Sequence, residues 1–510
     1  MFAQAESPGR RTTRPRNAAV AYARIAAKVS GVARDWRDDR IEELEARVRA
    51  QQATIEQQQR MIEAQQRTIA RLEARVRELE AQLARYSGNS SRPPSSDPPG
   101  APPPTPPKRT GKRRGGQPGH PRYEHHLFPA EQVTRTQVLK PTECRRCGGA
   151  LVGDDSEPYR HQVIDVPKVK ATVEEYQLHS LLCEHCGIST RATLPAGVPS
   201  GNFGPRLQAM VSVCSGDYRM SKREIERLVE DFFEIPIALG SISNLEQSTS
   251  EALAAPVEQV AQAIRNEPVV HADETSWYER SRRVWLWVAV TGTMALFLIR
   301  GSRGAAVAKE LLGKAFAGIL SSDRWSAYEW VDVLRRQLCW AHLLRQFRGF
   351  QDLGPEGAEV GLALELLTET MFYGWHRVRA GTMSRAAFQA LMTPLQYHVM
   401  AWLQKGQSCP IRKVAGTCRE ILELEPALWT FVHTEGVEPT NNNGERILRH
   451  GVLWRKGSFG TDSPSGSRFV ERILTVVATL RLQKRNVLDY MTAACKAFLD
   501  GQPAPSLLPA

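Results

Sequence analysis

The sequence lacks a long, unbroken apolar run. Its most apolar stretch, VWLWVAVTGTMALFLI from Val284, is interrupted by Thr-Gly-Thr and predicts two buried β-strands rather than a membrane span. The first residues also lack the apolar core of a signal peptide. Their Arg-rich, acid-poor composition resembles a transit peptide only superficially, and it favours a basic disordered tail over residues 1–36. We therefore expect a soluble intracellular protein with no membrane partner.

Cysteine is too scarce for a disulfide scaffold, since the 510 residues include nine cysteines and five of these are scattered. The other four form two C-x-x-C pairs, each followed by glycine: Cys144 and Cys147, then Cys183 and Cys186. Four thiolates suit a structural Zn²⁺ ion. The stretch between the pairs is longer than in the usual zinc ribbon. We therefore predict a small zinc-binding β module over residues 131–197, in which a sheet brings the two pairs together.

An acidic excess is also lacking. The formal net charge is +12 and the pI is about 9.4, which favours a polyanionic partner, with nucleic acid ahead of an acidic membrane surface. Residues 88–130 predict an extended linker that is rich in proline and then basic, including Lys112, Arg113 and Arg114. Such a strand can follow a phosphate backbone or enter a minor groove. A solvated charge run fits the local sequence equally well.

What the chain does have is an exact heptad repeat from Ile41 to Tyr86, with β-branched residues on one seam and leucine and glutamine on the other. This pattern predicts a parallel two-stranded coiled coil over residues 37–87, and hence a homodimer. A single amphipathic helix packed on the body is the alternative, but it gives no reason for a strict seven-residue repeat.

Residues 198–262 have a helical pattern. Ser221 with Glu224, and Ser243 with Glu246, have the spacing of capping boxes at the start of two helices. Two short helices around the turn IPIALG are typical of a helix-turn-helix, so we predict a DNA-binding region here. Other helical hairpins give the same pattern.

Two aspartates follow apolar strands. PVVHADET predicts a strand that ends at Asp273, two strands and a helix follow, and GILSSD predicts a fourth strand that ends at Asp323. In a ribonuclease H-like fold the first and fourth strands are neighbours, so the two carboxylates would lie close enough to share metal ions. We assign residues 263–335 to the first part of such a core.

A third candidate carboxylate, Glu445, lies much further along the sequence. Residues 336–435 have a helical pattern and predict an α-helical insertion, after which TNNNGER returns the chain to the core. Asparagine and glycine permit a tight turn and a capped helix, with Glu445 in its first turn. Residues 436–490 then form the second part of the core, and residues 491–510 a C-terminal tail.

Two residues beside Asp273 are also considered for the site, Glu274 and His271. Glu274 should point to the opposite face of the strand from Asp273, so we exclude it from the site. His271 shares the face of Asp273 and either orients a carboxylate or belongs to the core.

Four further side chains are better explained by packing. Cys339 and His342 lie on one helical face, but two ligands do not make a metal site, so packing is favoured. Trp325 and Tyr328 can stack on a displaced base, although packing after the fourth strand is the more economical explanation.

Several motifs together resemble the insertion sequence 66 family of DDE transposases: SGNSSRPPSSD, GGQPGH, the paired C-x-x-C motifs, HADET, SSDRWSAY, CWAHLLRQF and PTNNNGERILRHGVLWRKGSFG. The resemblance runs from the coiled coil to about Tyr490. Two features depart from it: Asn443 and Gly444 stand where the family usually has alanine, and the N-terminal tail has no counterpart.

The resemblance implies a multidomain α/β protein with a ribonuclease H-like core and an acidic triad of Asp273, Asp323 and Glu445. Two Mg²⁺ or Mn²⁺ ions at the triad would support DNA strand cleavage and transfer. The implied partners are double-stranded DNA at the element's ends, target DNA and accessory proteins of the same element, in the nucleoid of a bacterial cytoplasm. Basic residues after the glutamate would hold phosphates: Arg446, Arg449, Arg455, Lys456 and Arg468.

Two other classes remain as alternatives. A decayed or domesticated DNA-binding relative would regulate its element without catalysis, but all three carboxylates are present. A metal-dependent nuclease of the same fold usually lacks a coiled coil, a zinc module and a large helical insertion.

Overall fold

A computed structural model describes the backbone of residues 19–83 and 127–509, with side chains for residues 39–73, 76 and 127–509. The chain divides into two units, residues 1–85 and 86–510. The first part of the predicted tail and most of the predicted linker, with Lys112, Arg113 and Arg114, lie outside the described residues. In the part that is described, no helix is long and apolar enough to cross a membrane.

The first unit is one continuous helix, α1, from Ala19 to Leu83. It begins well before residue 37, so the prediction of a disordered tail is wrong for residues 19–36. The seam residues from Ile41 to Val76 are about half exposed along the helix. A solvent-facing apolar stripe of this kind fits a partner helix. The coiled-coil dimer stays a prediction, because it needs a second chain.

The second unit begins with a small, largely exposed module. Strand β1 (Ser180–Leu182) pairs antiparallel with β2 (Ser189–Arg191), and Glu143 bridges Ala150. Each C-x-x-C pair therefore lies in the turn of a short hairpin.

Four helices follow: α2 (Pro205–Gly216), α3 (Lys222–Phe233), α4 (Leu239–Ala252) and α5 (Ala254–Ile264). Helices α2, α3 and α4 share a small apolar core. The capping box of Ser221 and Glu224 is confirmed at the start of α3. The second predicted box is wrong, because α4 begins at Leu239. Ser243 instead donates to the Leu239 carbonyl, and Glu246 pairs with Lys222 at 3.0 Å.

A five-stranded mixed sheet forms the centre of the unit. Its strands are β3 (Val269–Glu279), β4 (Arg282–Val290), β5 (Ala295–Arg300), β6 (Ile319–Ser322) and β7 (Arg336–Leu338), in the order β5-β4-β3-β6-β7. Helix α6 (Ala305–Leu312) connects β5 to β6. Strand β3 pairs in parallel with β6, so the first and fourth strands are neighbours. The predicted end of the first strand is wrong, since β3 continues past Asp273 to Glu279.

A second apolar core lies in the helical segment after the sheet, which comprises α7 (Trp340–Gln351), α8 (Pro355–Arg379), α9 (Arg385–Gln407), α10 (Arg412–Glu423) and α11 (Thr430–His433). The predicted insertion started slightly too early, because its first three residues form β7.

Helices α12 (Asn442–Ser458), α13 (Pro464–Leu482) and α14 (Val487–Leu499) complete the chain. Side chains of α13 cover the free edge of β5: Thr479 accepts from the Ala295 amide and Thr475 from the Phe297 amide. Covering an edge strand in this way prevents it from pairing with another chain. The predicted C-terminal tail is wrong for residues 491–499, since Met491 and Cys495 are buried in α14.

Candidate active site

Two parallel strands carry the two aspartates. Their register pairs Val269 with Ile319 and His271 with Ser321, so continuing it by two residues places Asp273 beside Asp323. Asp273 Oδ1 accepts the Glu274 amide at 2.9 Å, and Asp323 Oδ1 accepts the Trp325 amide at 2.9 Å. Each carboxylate is thus held by the backbone next to it, which leaves its second oxygen for a ligand.

Helix α12 packs against β3 and β4 and carries Glu445 in its first turn. The ligand atoms of Asp273, Asp323 and Glu445 do not all lie within 4.8 Å of one another. The helix packs so closely on β4 that a Cβ on Gly451 would lie 2.2 Å from Leu286 Cδ2. A carboxylate in the first turn is favoured by the helix dipole. Glu445 therefore also stabilises the start of the helix, whatever else it binds.

Like-charged neighbours and burial both act on Asp273. Burial raises the pKa of Asp273 well above its ordinary value. Three neighbouring carboxylates raise this pKa further: Glu274, Asp323 and Glu445. Mutual repulsion of buried carboxylates is relieved by a cation. The donor set is made of hard carboxylate oxygens. Glu445 Oε1 faces His342 and Arg345 and is buried without a hydrogen-bond partner among the described residues. These observations fit Mg²⁺ or Mn²⁺.

Glu274 has a separate structural task. Its carboxylate is buried and accepts from the Tyr328 hydroxyl at 2.5 Å and from Arg303 Nε at 2.9 Å. Burial, followed by the charge of Asp323, raises the pKa of Glu274 to about 7. Glu274 therefore anchors the segment after β6, and its oxygens are already engaged.

The two aromatic candidates pack rather than stack on a base. Tyr328 is fully buried. Trp325 donates its indole N–H to the Arg303 carbonyl at 2.9 Å, and the Arg303 guanidinium covers its ring at 3.8 Å. Both rings therefore stiffen the turn that carries Asp323.

Asn441 is a residue that sequence reasoning missed. It is 1% exposed and stands at the N-cap of α12, but its side chain makes no cap hydrogen bond, contrary to the expected capped start. Its Nδ2 donates to the Ala272 carbonyl at 2.8 Å, and its Oδ1 lies 3.1 Å from His271 Nδ1. Its backbone N–H donates to Cys339 Sγ at 3.1 Å. Asn441 thus joins α12 to β3 and to the start of α7.

The contacts of Asn441 determine the role of His271. Burial lowers the pKa of His271, which favours the neutral ring. Because the Asn441 amide group donates to Ala272, its oxygen must accept, and His271 Nδ1 is the donor. His271 is a core residue that orients Asn441 rather than a carboxylate.

Cys339 and His342 lie beside Glu445. In the described ranges, these three form the single cluster of metal-ligand type, with their ligand atoms within 4.8 Å of one another. His342 Nδ1 is 3.3 Å from Glu445 Oε1, and Arg345 Nη2 is 3.6 Å from the same oxygen. Burial, followed by the charge of Glu445, raises the pKa of Cys339 to about 12, so its thiol stays protonated. The cluster therefore restrains Glu445.

The basic residues of α12 divide into two groups. Arg446, Arg449 and Lys456 are exposed, as is Arg468 on α13. Arg455 is half-buried and donates to Thr275 Oγ1 at 3.1 Å and to Ser276 Oγ at 2.6 Å. It fastens the helix to β3, whereas the others face solvent.

The four paired cysteines lie in two similar turns. Backbone N–H groups within each turn donate to sulfur and lower the pKa of Cys144 and of Cys183, which favours a thiolate. Gly148 and Gly187 adopt φ of 70° and 71° and close these turns. Within the described residues, however, the four sulfurs do not form one group of ligands. The zinc site stays a prediction.

Sequence comparisons cover most of the chain. A sequence model of the transposase IS66 family matches residues 200–468, which include the sheet, Asn441 and all three carboxylates of the site. A family of unknown function matches residues 31–126. Two uncharacterized proteins of Sinorhizobium fredii (strain NBRC 101917 / NGR234) are similar. The first is 23% identical over 75% of each chain, and the second is 25% identical over 68% of this chain and 69% of its own.

Proposed function

Since the chain belongs to the IS66 family of transposases, we propose that it cleaves and joins DNA strands at the ends of an insertion sequence, using Asp273, Asp323 and Glu445. The observation that best supports the proposal is the raised pKa of Asp273, to which burial and the charges of Asp323 and Glu445 contribute. The adjacent first and fourth strands support a ribonuclease H-like core.

The three carboxylates would hold Mg²⁺ or Mn²⁺, which supplies charge stabilisation for phosphoryl transfer at DNA. The chain's own groups position the reactants. Backbone amides fix Asp273 and Asp323, while His342 and Arg345 limit the rotation of Glu445. The exposed Arg446, Arg449 and Lys456 continue along the same helix, where they attract the phosphate backbone.

The remaining regions have supporting tasks in this proposal. Helix α1 pairs with a second copy through its exposed seam, and the two C-x-x-C turns bind structural Zn²⁺. Helices α3 and α4 contact double-stranded DNA at the element's ends or at the target. The protein then works at the nucleoid, in the bacterial cytoplasm, together with accessory proteins of its element.

A strand-cleavage assay tests the proposal. The probe is a duplex carrying the ends of the element, incubated with Mg²⁺ or Mn²⁺. Asp273→Asn, Asp323→Asn and Glu445→Gln should each lower cleavage by about 10³-fold or more while leaving duplex binding intact. Glu369→Gln is the matched control, since Glu369 is exposed on α8 and, among the described residues, pairs only with Arg348, at 3.4 Å.

Two outcomes would overturn the proposal in different ways. Wild-type binding without cleavage would assign the chain to the non-catalytic DNA-binding relatives. Cleavage of any duplex, without dependence on the element's ends and without strand joining, would assign it to the nucleases of the same fold.

Metal analysis tests the zinc prediction separately. Purified protein should contain about one equivalent of zinc per chain, as expected for a four-thiolate site, and Cys144→Ser should remove it. Cys409→Ser, outside the paired motifs, should not. A lower zinc content that Cys144→Ser leaves unchanged would contradict the site.

A further inference from the structure

The C-terminal end of α12 exposes a large aromatic ring. Phe459 is 81% exposed and caps the helix with φ of 62°, in the left-handed region. Of the five described non-glycine residues with positive φ, Phe459 alone has an apolar side chain. The backbone conformation is unfavourable for folding, since an L-residue adopts a conformation suited to glycine, and the exposed ring contributes no burial that would offset it. A strained backbone at a fixed surface position points to a use outside the fold.

The position of this ring is fixed by its backbone neighbours. The Thr461 amide donates to the Tyr278 carbonyl at 2.9 Å, and the Arg280 amide donates to the Thr461 carbonyl at 2.6 Å. Gly460 packs so closely that a Cβ there would lie 2.1 Å from the Tyr278 oxygen. The turn after α12 is thus bonded to the β3–β4 hairpin, and Phe459 projects from a rigid support.

The surface around the ring is basic. Five exposed cations lie on the same hairpin and turn or on the adjoining helices: Arg280, Arg282, Arg283, Lys456 and Arg468. Of the nearby acids, Glu279 is half-buried and accepts from the Ser467 hydroxyl at 2.6 Å, while Asp462 is exposed. An aromatic ring surrounded by cations is complementary to a polyanion that has flat, stackable groups. Duplex DNA has both properties.

We propose that Phe459 is a wedge that inserts between base steps of duplex DNA, while the surrounding arginines and Lys456 hold the adjacent phosphates. The inference rests on the proposed function and extends it to DNA distortion. Phe459 follows Glu445 by fourteen residues on one helix, a rise of about 21 Å. This corresponds to roughly six base steps of 3.4 Å, so the duplex would be unstacked at a distance from the carboxylates.

The test uses Phe459→Gly in the full chain, with Tyr373→Ala as the matched control. Tyr373 is 65% exposed on α8, remote in sequence from this surface. The probes are a 40-bp duplex of mixed sequence and the same duplex with a central two-base mismatch flanked by 2-aminopurine. Wild-type protein should bind the mismatched probe about tenfold more tightly, because unstacking costs less there, and should raise its fluorescence.

Phe459→Gly should lose both the preference and the fluorescence change, while Tyr373→Ala should keep them. The melting temperature of Phe459→Gly should equal or exceed that of the wild type, because glycine adopts the left-handed backbone conformation without strain. Loss of the preference and the fluorescence change at an unchanged or higher melting temperature would show that the substitution removes the wedge without unfolding the protein.

Several outcomes would overturn the inference. An unchanged preference and fluorescence in Phe459→Gly would remove the wedge and leave the proposed function standing. A lower melting temperature, or altered self-association in sedimentation with unchanged DNA binding, would assign the ring to protein packing. Wild-type binding to neither probe would overturn the wedge, which needs no particular sequence; the proposed function is tested apart from it, by the cleavage assay on duplexes that carry the element's ends.

Discussion

Helix α12 begins in the interior of the protein and ends on its surface, and its two ends are held by different means. At the start, Asn441 is buried and its side chain bonds to Ala272 and His271 of β3. At the end, backbone hydrogen bonds to the β3–β4 hairpin fix the turn, and Phe459 and Lys456 remain exposed. The start is therefore held by the buried Asn441 side chain. The end is held by main-chain hydrogen bonds and the Arg455 side chain, which leaves Lys456 and Phe459 exposed.

This difference matches the task that we propose for each end. A carboxylate that takes part in phosphoryl transfer must keep its geometry, which requires neighbours with locked rotamers. Side chains that meet DNA must reach into solvent. Each end also carries an unfavourable feature: the half-buried charge of Asp273 beside the start, and the left-handed backbone of Phe459 at the end.

Replacement of Asn441 should have the largest effect on stability. Asn441→Ala leaves the Ala272 carbonyl and His271 Nδ1 without their partners, and should lower the free energy of unfolding by about 3 kcal/mol. Cleavage should fall by about 10²-fold, because a misplacement of about 1 Å is enough for such a loss. Denaturant titration and the cleavage assay, at a temperature where the variant is folded, measure the two effects.

Asn443→Ala is the matched control within the same run of asparagines. The Asn443 side chain bonds to exposed Arg446 at 3.2 Å, so both quantities should stay near wild type. Equal effects of the two substitutions would contradict a special role for Asn441.

His342→Gln should reduce kcat by about tenfold with little change in KM. His342 Nδ1 lies 3.3 Å from Glu445 Oε1, so its loss gives Glu445 more rotational freedom without removing a DNA contact. His398→Gln, on the exposed surface of α9, serves as the control. A rise in KM at constant kcat would show instead that His342 binds the substrate.

The contrast also shows what the sequence can reveal. The neighbouring positions of β3 and β6 were predictable, because the succession of strand, two-stranded hairpin, helix and strand is that of a ribonuclease H-like fold, in which the first and fourth strands are neighbours. The role of Asn441 was not predictable from TNNNGER, since its bond to His271 joins residues 170 positions apart. Locally the motif indicates only a turn and a cap.

The two Ser-x-x-Glu motifs show a related limit. Ser221 and Glu224 form a capping box, whereas Ser243 and Glu246 lie inside α4, where Glu246 pairs with Lys222. Identical spacing gave different structures because tertiary contacts decided where α4 begins. The C-x-x-C motifs predict two turns in the same way, but the motif alone does not fix how the turns meet.

A smaller effect, of opposite sign, is expected from Asp273→Asn. Repulsion and burial make the charged Asp273 unfavourable in the metal-free protein, so the neutral amide should stabilise it by about 1 kcal/mol while abolishing cleavage. Denaturation in EDTA measures the stability. Mn²⁺ should then raise the melting temperature of the wild type more than that of the variant.

Asp332→Asn is the matched control, because Asp332 is exposed and caps the Leu334 amide, a task that asparagine also performs. Its stability should not change. A loss of stability in Asp273→Asn would show that the carboxylate supports the fold.

The smallest effect should separate two adjacent cations near the end of α12. Lys456 is exposed, and in the described part of the chain it makes neither an ion pair nor a hydrogen bond. Lys456→Ala should weaken duplex binding about threefold and lower the slope of log K against log salt by about one, without changing stability.

Arg455→Ala should do the reverse. Arg455 donates to Thr275 and Ser276, so its loss should lower the free energy of unfolding by about 1 kcal/mol and leave the salt slope nearly unchanged. Filter-binding titrations at several salt concentrations, paired with denaturant curves, distinguish the two. If both substitutions lowered the salt slope equally, the division between a fastening cation and a DNA-facing cation at this end of the helix would be wrong.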